Sequence, residues 1–238
     1  MHNQSIEDFG GLADKRLEET IDSVKEYCSR LRKRHQRDTE IPRKMIHLEM
    51  WARGFVDALL ELDYSLRNSA RFREGIDQDY QEALTPEQQN RYHLHAYYYK
   101  NAFIRIFSIL DKLGYFLTQL FDLEKYRTRA HYSYFTVLSW MHSSSTHPAL
   151  EQELFDLKVK YRKPLDRLHK MRNLEIHSIN VEMLDDLHRD LRSFAERNLI
   201  EPLDENLHDL REGYEMVQLS LKTVFDYCAD LIGTDRNR

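Results

Sequence analysis

Residues 85–120 read TPEQQNRYHLHAYYYKNAFIRIFSILDKLGYFLTQL. The segment opens with a capping-box pattern, in which the side-chain oxygens of Thr85 and Gln88 can each accept the other residue's backbone N–H. Apolar residues follow at steps of three and four residues, the spacing of a buried helix face. They are Ala96, Tyr99, Phe103, Ile106, Leu110, Leu113, Leu117 and Leu120. The segment therefore predicts one long amphipathic helix.

Three further segments have the same periodicity, at about residues 17–31, 45–66 and 203–231. Prolines at Pro42 and Pro202 precede two of them, where proline suits the first helical turn. The chain has only 7 glycines and 5 prolines in 238 residues, which argues against a sheet protein rich in tight turns. We predict an all-α fold, a helical bundle packed at shallow crossing angles.

The sequence contains no recognisable linker between two domains. No low-complexity segment divides the chain, and no internal repeat of fixed period is visible. We predict an N-terminal helical pair, residues 1–80, that packs on a helical bundle formed by residues 81–238.

Charge and cysteine usage restrict the function classes. A formal net charge of −5 disfavours tight, sequence-blind binding to long duplexes, although a local basic cleft is compatible with it. Cys28 and Cys228 occupy apolar helical positions instead of a spaced cluster, so we expect no disulfide framework and a reducing cytoplasmic location. The apolar stretch at residues 102–110 is interrupted by Arg105, and we expect no membrane partner.

A polar motif interrupts an apolar helical stripe near residue 172. Residues 171–178 read MRNLEIHS, and Arg172 occupies the middle of the stripe. A guanidinium in that position requires a partner or a ligand. Asn173 and His177, four residues apart, share a neighbouring helix face. The apolar stripe consists of Leu165, Leu168, Ile176 and Ile179.

The pattern Arg-polar-x-x-x-His, here Arg172, Asn173 and His177, resembles the HEPN superfamily of helical RNA-processing and nucleotide-binding domains. A second stretch, FSILDKLGY at residues 107–115, looks like the second core helix of a group of bacterial single-domain HEPN proteins. The resemblance covers about residues 90–232. It implies an up-and-down bundle of HEPN type with additional N-terminal helices, which dimerises so that the motif helices face each other across a cleft.

The resemblance also implies an activity. Many members are metal-independent endoribonucleases, and others are non-catalytic modules that bind a nucleotide or a protein. In a ribonuclease His177 would be the general acid or base, Arg172 would hold the scissile phosphate, and Asn173 would orient one of them. We expect RNA or a nucleotide as ligand, no cofactor, a homodimer, and a protein such as an antitoxin as a further partner.

Two other interpretations of these residues remain open. In the first, Arg172 forms a structural ion pair with Asp111 and His177 only packs at a helix end. Asp111 shares a helix face with Phe107 and Tyr115, so we expect it either to be partly shielded from water and to support the motif residues, or to be exposed and paired with a surface lysine.

The second interpretation is a metal centre. Helical bundles bind two metal ions through an acid and a histidine three residues apart, together with carboxylates on facing core helices. The apolar stripes of the second and third helices offer no central carboxylate, so we expect no metal. The acid–histidine pairs are Asp166/His169, Asp185/His188 and Glu205/His208.

The third helix carries polar aromatic residues near its beginning. His93 and His95 point to opposite sides of a helix and are predicted to be surface residues. Tyr97, Tyr98 and Tyr99 are candidate stacking surfaces for RNA bases, although Tyr99 also belongs to the core stripe.

Overall fold

The computed structural model describes residues 4–35, 42–123, 133–177 and 199–234, and of residues 4–13, 177 and 234 it describes only the backbone. This part of the chain contains seven α-helices and no strand, so the predicted all-α fold is confirmed. The helices are α1 (Gln4–His35), α2 (Arg43–Arg73), α3 (Pro86–Leu120), α4 (Tyr134–Ser144), α5 (Pro148–Lys160), α6 (Arg162–His177) and α7 (Leu203–Thr234).

Local side-chain bonds set the helix ends. The backbone N–H of Thr85 donates to Gln88 Oε1 at 3.0 Å and that of Gln88 donates to Thr85 Oγ1 at 3.2 Å, which confirms the capping box of α3. Helix α4 begins after Ser133, whose hydroxyl accepts the N–H of Thr136, and is followed by the cap residue Ser145 in a left-handed conformation with φ of 49°.

The chain forms two compact units. The first comprises Met1–Leu60, Ser108–Lys160 and Glu215–Arg238, and the second comprises Glu61–Phe107 and Tyr161–Tyr214. Helices α2, α3 and α7 each contribute a segment to both units.

Aromatic rings form the centre of the first unit. Tyr27, Phe55, Phe116 and Phe225 are buried, and their contacting ring centroids lie 5.3–6.0 Å apart in tilted or edge-to-face arrangements. Such pairs contribute about 0.5–1.5 kcal/mol each beyond the area they bury. The cluster therefore joins α1, α2, α3 and α7 within this unit.

In the second unit, two segments that connect helices pair with each other through their backbones. Tyr80 and Leu199 form an isolated antiparallel bridge, and the N–H of Ile200 donates to the carbonyl of Asp79 at 2.8 Å. The Tyr214 hydroxyl on α7 donates to Asp63 on α2 at 3.0 Å.

The two histidines near the beginning of α3 differ in exposure. His95 was predicted to be a surface residue, and this is wrong, because only 2% of it is exposed and its Nδ1–H donates to the Ser69 carbonyl at 2.8 Å. His93 is exposed, as predicted. No helix within the described ranges is both long and apolar enough to span a membrane.

Candidate functional site

The motif helix α6 packs closely against its neighbours in the second unit. Leu165 and Leu168 are buried and form the first half of the apolar stripe. Gly213 of α7 permits the close approach, since a Cβ there would lie 2.9 Å from the Leu168 side chain and 2.9 Å from that of Ile106 on α3. Helices α3, α6 and α7 therefore meet at this glycine.

An ion pair gives α6 a second attachment to α7. The Arg167 guanidinium donates two hydrogen bonds to the carboxylate of Asp209, which is 3% exposed. The bidentate geometry matches the planar fork of arginine. The bonds to Asp209 also raise the pKa of Arg167.

Two contacts define how α6 lies on α3. The ring of Phe107 meets the ring of His169 edge-on at 5.4 Å, and Lys100 Nζ lies 3.4 Å from the carboxylate of Glu175. The two helices are antiparallel, because the earlier α3 residue contacts the later α6 residue. Both side chains of the Lys100–Glu175 pair are mostly buried, at 16% and 15% exposure.

Arg172 and Asn173 lie between these two contacts. Both side chains are partly buried, and Arg172 Nη1 donates to Asn173 Oδ1 at 3.3 Å. Among the described residues, the Arg172 guanidinium has no carboxylate within ion-pair distance. Within the described ranges, only one of its five N–H donors has a hydrogen-bond partner.

The end of α6 is more exposed than its beginning. Leu174 is 36% exposed and Ile176 is 46% exposed, so the apolar stripe that is buried at Leu168 emerges at the surface. The backbone of His177 ends the helix, and its side chain lies outside the described part of the structure. The same holds for Ile179, the last residue of the stripe.

Comparison with family models assigns residues 51–229 to the HEPN_Cthe2314-like HEPN family. The match spans about three quarters of the chain and contains the whole of α6. The chain belongs to this HEPN family. The resemblance inferred from the sequence is thereby confirmed, and so is the HEPN-type helical bundle. No curated protein and no solved structure matches the chain significantly.

The HEPN protein has one further polar residue beside the motif that the sequence analysis considered only as a metal ligand. His169 is exposed, and its Nδ1 lies 3.4 Å from the amide nitrogen of Asn173, which can donate to it. His169 precedes Asn173 by four residues, as Asn173 precedes His177. This four-residue spacing could have identified His169 from the sequence, because it places all three residues on one side of the helix.

Asp111 of the HEPN protein lies in the first compact unit, whereas the motif lies in the second. Its Oδ1 accepts the N–H of Tyr134 at 3.1 Å, at the beginning of α4. Carboxylates are favoured there because the first N–H groups of a helix lack intrahelical acceptors. A role for Asp111 in supporting the motif residues stays a prediction.

Two residues of the acid–histidine pairs contact other side chains in the described part of the structure. Asp166 pairs with Arg162 at 3.7 Å and His208 lies 3.5 Å from Glu212. Within the described ranges of the HEPN protein, no three histidine, cysteine or acidic residues are grouped as a metal site requires. Asp185 and His188 lie outside those ranges.

Proposed function

We propose that this HEPN protein is a metal-independent endoribonuclease that cleaves RNA through the RNA's own 2′-hydroxyl, with Arg172, Asn173 and His177 as its site. One observation carries the proposal. The partly buried Arg172 guanidinium is held by Asn173 and has no carboxylate partner among the described residues. A partly desolvated cation without a counter-charge is suited to an anionic ligand.

The chemistry assigns a role to each residue. Arg172 binds the scissile phosphate through its planar fork and stabilises the charge that develops on it. His177 has a side chain of the type that exchanges protons near neutral pH. The 2′-oxygen loses its proton and attacks phosphorus, and the 5′-oxygen leaves with a proton. The products are a 2′,3′-cyclic phosphate and a 5′-hydroxyl.

A homodimer supports the site in this proposal. Arg172 and His177 are about 140° apart on an ideal helix, so a single protomer brings them together poorly. The exposed Leu174 and Ile176 give the motif helix an apolar surface that a second copy could cover. Motif helices that face each other would combine Arg172 of one protomer with His177 of its partner. We further propose that the protein acts on RNA in the cytoplasm.

The test is cleavage of labelled single-stranded RNA in excess EDTA. We expect the wild type to cut, and Arg172→Ala and His177→Ala each to lose about 100-fold or more of the rate. Matched controls are Arg162→Ala and His208→Ala, which change exposed residues of the same types and should keep the wild-type rate.

The outcomes separate the candidate functions. Cleavage that EDTA abolishes, or that survives both motif substitutions, contradicts the proposal. A wild type that binds RNA or a nucleotide through Arg172 without turnover would instead establish a non-catalytic binding module.

A further inference from the structure

Four aromatic side chains form a continuous surface on the second unit, which we call the aromatic patch: Tyr64, Phe72, Tyr97 and Tyr98. Tyr64 is 61% exposed and Tyr97 is 60% exposed, which is unusual for large rings. Tyr98 links them, with ring centroids 6.1 Å from Tyr64 and 5.1 Å from Tyr97. Phe72 lies parallel to Tyr98 at 5.8 Å.

Tyr97 places one end of the patch close in sequence to the part of α3 that contacts the motif helix. Tyr97 precedes Lys100 by three residues, so it lies about one turn earlier on α3 and about 60° around the axis from the lysine that pairs with Glu175. Since α3 and α6 are antiparallel, this turn of α3 is level with the end of α6, where His177 lies. Tyr97 is then roughly 10 Å along the axis from the level of Arg172.

The charges around the patch favour an anion. Glu61 is paired with Arg105, and Asp63 is paired with Arg67. The guanidinium of Arg71 lies 5.7 Å from the centre of the Phe72 ring, and within the described ranges no carboxylate pairs with it. The two carboxylates are thus each paired with an arginine, and Arg71 adds a further positive charge beside the Phe72 ring.

We propose that the aromatic patch is a stacking surface for unpaired bases of the RNA strand whose phosphate is bound by Arg172. This inference rests on the proposed function and adds the surface on which the unpaired bases of the single-stranded RNA bind. Tyrosine rings stack with any base, and a base must be unpaired to reach them. Arg71 supplies the contact to the strand's backbone, and duplex RNA is excluded because its bases are stacked on each other.

The experiment measures affinity for a fluorescent single-stranded 2′-O-methyl RNA, which cannot be cleaved through its 2′-oxygen. Tyr64→Ala and Tyr97→Ala should each weaken binding by roughly 5- to 100-fold, while Tyr97→Phe keeps a ring and should bind as the wild type does. Tyr115→Ala, which removes a 39% exposed tyrosine of the first unit, is the matched control and should not change affinity.

Abasic oligonucleotides make the test specific. Removing the base that stacks should weaken wild-type binding and should weaken Tyr97→Ala no further. The inference would be overturned if removal of the base weakened the affinity of both proteins equally, or if both alanine variants bound the RNA as the wild type does. RNA binding that still depended on Arg172 would, in that case, leave the proposed function standing. Absence of RNA binding by the wild type would overturn both. A shift of the oligomeric state in Tyr97→Ala with unchanged affinity would make the patch a subunit interface and overturn the stacking surface.

Discussion

His95 shows what the sequence leaves undetermined at a single residue. Its ring lies parallel to that of Tyr99, with centroids 6.1 Å apart, and donates to the carbonyl of Ser69 on α2. His93 and His95 are on opposite sides of α3, and the sequence does not say which side α2 covers. Only the packing decides that His95 is buried. Burial lowers the pKa of His95 below its ordinary value.

The lowered pKa of His95 predicts a dependence of stability on pH. The unfolded chain takes up a proton near pH 6.5 while the folded chain does not, so stability is complete above this pH and falls as the pH drops toward the folded pKa. The slope is about 1.4 kcal/mol per pH unit in that window. Urea unfolding at pH 7.5 and 5.5 should show a smaller loss for His95→Gln than for the wild type, and equal losses would contradict this.

The spacing of the residues identified the motif in the sequence. It did not predict which side chains surround the motif. The sequence placed Arg172 on a helical stripe, and the structure adds the bond to Asn173 and the neighbouring His169. The roles of Arg172, Asn173 and His177 remain predictions. Side-chain partners on the same helix follow from i and i+4 spacing, whereas partners on other helices require the packed fold.

At the scale of elements, helix starts with local signals were predictable. The capping box at Thr85 and Gln88 is present because both partners are within one turn. The exposure of Ile176 was not predictable, because periodicity gives the apolar face of α6 but not how far a neighbour covers it.

Two glycines allow a matched test of helix contact. A Cβ on Gly114 of α3 would lie 3.0 Å from the backbone of Tyr134 at the beginning of α4, whereas a Cβ on Gly54 of α2 would meet nothing within 4 Å. We expect Gly114→Ala to lower the free energy of unfolding by about 1–3 kcal/mol. Gly54→Ala should raise it by about 0.5–1 kcal/mol. Denaturant titration measures both, and a stabilised Gly114→Ala would refute the close contact.

For the whole molecule, the fold class was predictable and its subdivision was not. Apolar periodicity and the scarcity of glycine and proline give an all-α protein. The two compact units have no linker signature, because α2, α3 and α7 run through both of them. The family match begins at residue 51, within α2. The division into residues 1–80 and 81–238 stays a prediction.

The proposed homodimer predicts a concentration-dependent mass. Light scattering at micromolar concentration should give twice the protomer mass, and Ile176→Asp should give a monomer with much reduced RNA cleavage. Val159→Asp changes a residue that is 57% exposed in the first unit and should leave both properties intact. A wild-type monomer that cleaves RNA at full rate would remove the case for a shared site.

The most direct test of the central claim uses an RNA that carries one 2′-deoxynucleotide at its main cleavage position, incubated with the wild type in excess EDTA. If the 2′-oxygen is the nucleophile, the enzyme will not cut at the deoxy position. It will cut the all-RNA strand at the same position and leave a 2′,3′-cyclic phosphate and a 5′-hydroxyl. Cutting at the deoxy position, or products that carry a 5′-phosphate, would contradict the proposed reaction.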